Sequence, residues 1–198
     1  MDYLELSPWG EEIVNANLED RKIIVNGVID SSILENIVMY ILKWNQEDEF
    51  IPVEQRRPIW LYMQSAGGNV YNGLNLIDVI EHSQTPVYGV CFTICASMAF
   101  NIYIACHKRF AFSNSVFLMH EGETGIQGST SKVKETMDFF DLTDKRIKDH
   151  VLKNTSMDAE YYDSVYEKEL YMFANEAGIE KGCVDFIIGT DVNLNEIL

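Results

Sequence analysis

The sequence predicts an α/β fold in which helices cross over between strands of a largely parallel sheet. Three observations predict it. Short apolar runs, IIV, IWLYM, VYGVCF and SVFLM, have the length and composition of buried strands. Between them lie longer segments with apolar residues at helical spacing, such as Ile33, Ile37, Val38, Ile41 and Leu42. The 198 residues are 47% hydrophobic, enough for one closed core.

Taken in order, residues 1–20 mix aromatics, acids and a Ser-Pro without a sustained period and are assigned as an N-terminal arm. Residues 21–198 form the domain. RKIIVNGVID is a strand closing in a glycine turn, after which Ser31 or Ser32 caps a helix reaching about Trp44. The polar connection Asn45 to Pro58 leads to the strand IWLYM, which runs into SAGGNVYNG. Val70, Leu74, Ile77 and Ile80 predict a helix that Gln84-Thr85-Pro86 ends before VYGVCF. ICASMAFNIYIAC is expected to be the next helix, RFAFSN a strand with a turn, and SVFLMH a strand ending on His120. A Gly-rich loop then precedes a long amphipathic segment, Lys132 to Lys153, within a protruding element at 125–153. A helix near Asp158 to Lys168 and a helix–turn–strand pattern in YMFANEAGIEKGCVDFII complete the chain.

Charge narrows the possible functions. Thirty-one acids against 15 bases give a formal charge of −16, which repels nucleic acid and anionic membrane. No basic-then-apolar leader opens the sequence and no run of about 18 uncharged apolar residues occurs, so a soluble, cytoplasmic protein is expected. Cys91, Cys95, Cys106 and Cys183 lie in or beside apolar stretches without metal-ligand spacing and are expected to be buried free thiols, with no metal or small cofactor.

The chemistry centres on Ser97, set among small residues in TICASMAFN. A serine hydroxyl becomes a nucleophile only when a base takes its proton and an acid orients that base. Of the four histidines, His82 and His107 lie in polar connections and His150 among charges in a surface helix. His120 alone ends an apolar strand and opens a Gly-rich loop, where a parallel sheet places functional groups at its carboxyl edge. Gly67-Gly68 brings bare backbone close to a substrate, and Met98 N–H follows Ser97 at a helix start. Both suit stabilisation of an oxyanion.

QSAGGNVYNGLNLIDVI, ICASM, SVFLMHEGETGIQG and ANEAGIEKGCVD resemble, in order and spacing, the motifs of the Clp protease proteolytic subunit family, serine peptidases with a crotonase-like fold. Each motif alone is short, but four in order with family-like intervals are specific, and the resemblance covers about residues 20 to 188. The resemblance implies Ser97 as nucleophile, His120 as general base, Glu169 as the orienting acid, and the N–H groups of Gly68 and Met98 as oxyanion donors. It also implies that 125–153 is a handle of strand and helix, through which two seven-membered rings stack around a chamber. Unfolded polypeptides would be cleaved there, delivered by an ATP-driven AAA+ unfoldase docked in apolar clefts. Trp60, Tyr62 and Phe92 are the residues placed to line such a cleft.

The chain departs from the family pattern at several points. The acid is Glu169 where the family has aspartate, with Asp163 as the nearest upstream aspartate. Thr93 and Ile94 precede the serine motif, Ala66 replaces a proline, and no Gln-Pro follows His120. The N-terminal arm is shorter and the linker Asn45 to Pro58 longer than is usual. Two other readings compete with the peptidase. One is a catalytically weak ring or accessory subunit with a docking role, and the other is an acyl-CoA enzyme on the related fold, which would not need Ser97.

Overall fold

The computed structural model describes residues 8–123 and 125–197. Seven strands form one sheet in the order β1 (Lys22–Ile29), β2 (Ile59–Gly68), β3 (Val87–Ala96), β4 (Lys108–Phe112) and β7 (Phe186–Ile188), all parallel. Strand β3 forks. Its first half, Tyr88 to Cys91, pairs with β4, and its last residues, Ile94 to Ala96, pair with β5 (Val116–Met119). The antiparallel strand β6 (Leu170–Phe173) continues the sheet from β5.

One face of the sheet carries the main core. Ile59, Leu61 and Met63 of β2 point into it, with helices α2 (Met39–Glu47), α3 (Val70–His82), α4 (Met98–Ala105) and α5 (Thr130–Asn154) contributing the rest. Every residue of α4 is buried, so this helix has no solvent face and its backbone is a fixed platform. The period-2 alternation of β2 sends Trp60 and Tyr62 to the opposite face. There they join Tyr88, Phe110, Phe112 and Phe186 in an aromatic layer around Val90, Ile188 and Ile197.

Several expectations change. Helix α1 (Pro8–Glu19) occupies most of the segment read as an aperiodic arm, and residues 1–7 lie outside the described residues. Strand β1 runs on to Ile29 through a bulge at Gly27, whose φ is +125°. Neither serine caps the following helix. The Asp30 carboxylate takes the Ser32 N–H at 2.9 Å, and a π-type turn at Leu34–Val38 leads into α2. The stretch Ile94–Ala96 is strand, because ladder bonds to β5 outweigh its helix-like spacing, and α4 starts only at Met98. For the same reason YMF is the strand β6, and the π-type turn Ala174–Gly178 follows it. Residues 125–129 form no regular element, and α5 starts at Thr130. Helix α6 (Ala159–Tyr166) follows after a short turn, with Asp158 as its cap. Among the described residues no helix is long and apolar enough to cross a membrane.

Candidate active site

Ser97 sits in the single-residue turn between β3 and α4, at φ 53° and ψ −124°. This conformation is rare for a residue with a Cβ and needs to be held from several sides. Its N–H donates to the Leu118 carbonyl at 2.8 Å, extending the β3–β5 ladder by one bond. Its carbonyl accepts from the Asn101 amide at 3.3 Å and from Asn101 Nδ2 at 3.0 Å. The turn lifts the serine out of the strand at the carboxyl edge of the sheet, half-buried.

The glycine pair approaches this turn from β2. Gly67 has φ +99°, and a Cβ there would stand 2.7 Å from Ala96 O, 2.8 Å from Ser97 Cβ and 2.9 Å from Met98 N. Only glycine fits. Its own N–H is taken by Ser65 Oγ at 3.1 Å, and buried Ser65 donates in turn to the Gly27 carbonyl. Gly68, at φ +152°, packs its α-carbon against the Ile29 backbone, while the ladder bond to Ile29 comes from Asn69 at 2.7 Å. Met98 N–H is the first of α4, one of the amides a helix leaves without an internal partner. Backbone of Gly67 and the first amide of α4 thus meet beside Ser97.

Strand register brings the other two candidates to the same edge. His120 follows Met119 directly at the end of β5, two residues beyond the carbonyl that holds Ser97. The antiparallel β5–β6 ladder ends at the Met119–Leu170 pair, so His120 and Glu169 each lie one residue outside it at the same end. Their side chains share no hydrogen bond among the described residues. The Glu169 carboxylate is exposed and accepts from the Tyr171 hydroxyl at 3.3 Å, and its negative charge pushes the Tyr171 pKa up. Asp163 lies on α6 and pairs with Lys148 at 2.5 Å.

The remaining histidines have structural partners. His82 Nδ1 bonds the Asp78 carbonyl, and His107 Nδ1 accepts from Val87 N–H. His150, read from sequence as a surface residue, is 8% exposed and sits between α3, α4 and α5. The four cysteines are buried and unpaired, and burial pushes Cys106 and Cys183 up to about 12. No group of three metal-ligating side chains occurs among the described residues.

Trp60, Tyr62 and Phe92 lie together on the aromatic face. Trp60 stands edge-on to Tyr88 at 5.1 Å, and Tyr62 to Phe92 at 5.3 Å. Phe92 remains 40% exposed, while the Tyr62 hydroxyl is held by the Ile197 carbonyl. Sequence reading missed Ser65 and Asn101, which hold Gly67 and Ser97. A serine inside a strand and an asparagine inside an apolar helix are signals only once β3 is known to reach Ala96.

The geometry fits what comparison with known proteins finds. The Clp protease family profile matches residues 9–191. The chain is 26% identical over 179 residues to "ATP-dependent Clp protease proteolytic subunit 1" of Prochlorococcus marinus strain MIT 9312, covering 89% of this chain and 88% of the relative. It is also 26% identical over 192 residues to "ATP-dependent Clp protease proteolytic subunit 2" of Parasynechococcus marenigrum strain WH8102, covering 93% of each. A match across nearly the whole chain, on a parallel sheet with these motifs at its edge, makes this protein a member of the Clp protease family.

Proposed function

We propose that the chain is a serine endopeptidase in which Ser97 attacks the peptide carbonyl. His120 takes the Ser97 proton and returns it to the leaving amine, Glu169 orients His120, and water then hydrolyses the acyl-enzyme. The N–H groups of Gly68 and Met98 receive the oxyanion. The observation that carries the reading is the conformation of Ser97. A strained serine at a strand-to-helix turn, with glycine backbone pressed against it and a helix amide beside it, suits a nucleophile better than a cap. Two positions support the rest of the set: His120 directly follows β5 and Glu169 directly precedes its partner strand β6.

The substrates would be unfolded polypeptides, cleaved inside two stacked seven-membered rings joined through the 125–153 handle. The aromatic face with Trp60, Tyr62 and Phe92 is the proposed dock for an AAA+ unfoldase, a partner in keeping with the "ATP-dependent" in the relatives' names. Buried free thiols suit a reducing, cytoplasmic setting. One observation favours a weaker enzyme or an accessory ring subunit: the Glu169 carboxylate faces solvent and Tyr171.

A fluorophosphonate probe, followed by peptide mapping, separates the two. A serine peptidase gives stoichiometric label on Ser97 that is absent in Ser97→Ala and slowed more than about tenfold in Glu169→Ala. An unlabelled wild-type chain would leave the accessory-subunit reading.

A further inference from the structure

Side chains of α3 and α5 meet a backbone carbonyl of α4 around buried His150. His150 of α5 places Nε2 2.9 Å from the Asn101 carbonyl of α4. Its Nδ1 lies 3.0 Å from Asn154 Nδ2 and 3.3 Å from Oε1 of Glu81 on α3. Glu81 also binds Lys153 at 2.7 Å and Asn154 at 3.3 Å.

The proton positions follow from what each partner can do. A backbone carbonyl only accepts, so Nε2 carries hydrogen. Burial holds the His150 pKa below its ordinary value, so the ring is neutral near pH 7 and Nδ1 is an acceptor. The Asn154 amide supplies its donor. The ring therefore has one defined tautomer and one defined orientation.

The residue it grips is the one that grips Ser97. Asn101 is 7% exposed, and both its backbone amide and its Nδ2 donate to the Ser97 carbonyl. A continuous chain of hydrogen bonds thus runs from α5 through His150 and Asn101 to the strained turn. We infer that His150 is a positioning residue that couples the long helix α5 to the conformation of Ser97. A satisfied core histidine would fill the same space, but it would not need to end on the residue that fixes the turn.

The functional meaning of this coupling rests on Ser97 being the nucleophile, whereas the coupling itself does not. The test therefore has two readouts. Amide hydrogen exchange over residues 97–104 reads the turn directly, and the rate of fluorophosphonate labelling reads its reactivity. The variants are His150→Leu, which removes the donor to Asn101; His150→Gln, which retains one; and Lys153→Ala, which loosens the α3–α5 contact without touching Nε2.

The expected result is exchange at Asn101 at least about tenfold faster in His150→Leu, and near wild type in His150→Gln and Lys153→Ala. Labelling should fall by about ten- to a hundredfold in the same order, the scale on which remote misplacement acts. Wild-type exchange in His150→Leu would overturn the inference. Equal exchange in all three variants would overturn it too, since that marks general loosening. If wild-type protein takes no label, the peptidase reading falls and the exchange pattern still decides the coupling.

Discussion

Ser97 occupies backbone space that costs a residue with a side chain about 1–3 kcal/mol. The surroundings hold it there, and Gly67 is the part of them least able to change. Gly67→Ala would put a methyl group 2.7 Å from Ala96 O and 2.8 Å from Ser97 Cβ, and would strain the new residue at φ +99°. Backbone atoms cannot swing aside as a flexible side chain does, so the β3–α4 turn has to move. The expected outcome is a loss of about 1–3 kcal/mol of stability by thermal unfolding. Labelling of Ser97 should fall about a hundredfold while the protein remains folded. Unchanged labelling in Gly67→Ala would show that the turn has slack, against the close contacts that support the nucleophile reading. This constraint was half legible in the sequence. Gly67-Gly68 after an apolar run announces bare backbone near a site, but what it touches depends on a long-range contact with β3.

At the scale of elements, the chain's alternation of apolar runs and helical spacing set out most strands and helices, and they formed where each segment's own periodicity decided its state. The exceptions are segments decided by partners. ICA and YMF become strand through ladder bonds with β5, and Pro8–Glu19 becomes helix despite its weak periodicity. His150 was misread for a related reason: the charges beside it in sequence lie on other sides of α5, so local polarity hides a buried position. Another partner-decided join is the one at the start of the sheet. Arg21, just before β1, binds Asp48 through two bonds of 2.6 and 2.9 Å, and Thr85 donates to the same carboxylate at 2.9 Å. The Asp48 side chain is 2% exposed, and its partners, Arg21 first, hold its pKa below the ordinary value. A depressed folded-state pKa gives stability that is present above the unfolded value of about 3.9 and is lost as pH falls through the folded one. Asp48→Ala, which leaves Arg21 with only Glu47 at 3.7 Å and the Arg57 carbonyl, is expected to cost about 3 kcal/mol in denaturant unfolding near neutral pH. The difference from wild type should shrink below about pH 4. A gap that stayed constant into acid would place the contribution in packing rather than in the charge.

The whole molecule carries −16 formal charges and yet leaves large apolar side chains uncovered on its longest helix. Met137, Phe139 and Leu142 of α5 are 44%, 53% and 60% exposed, and Phe139 stacks at 6.0 Å on Tyr71, itself 48% exposed. Grouped apolar exposure of this kind marks an association surface, and its place on α5 is where the proposed rings would meet. Along the same helix Val133, Phe140 and Ile147 are half-buried and Met137 is open. Two forces then compete in assembly. Apolar burial favours it, while like charge on every copy opposes it, and the second alone is screened by salt, over about 10 Å at 0.1 M. Native mass and sedimentation should therefore show larger assemblies as salt rises. Leu142→Glu should shift the population to small species while leaving the circular dichroism of the fold intact. Because α5 also carries His150, a variant that loses the ring should label more slowly at Ser97 if assembly steadies the helix. A chain that stays assembled with Glu at 142, or that dissociates as salt is raised, would place the subunit contacts elsewhere and leave the apolar stripe of α5 without that role.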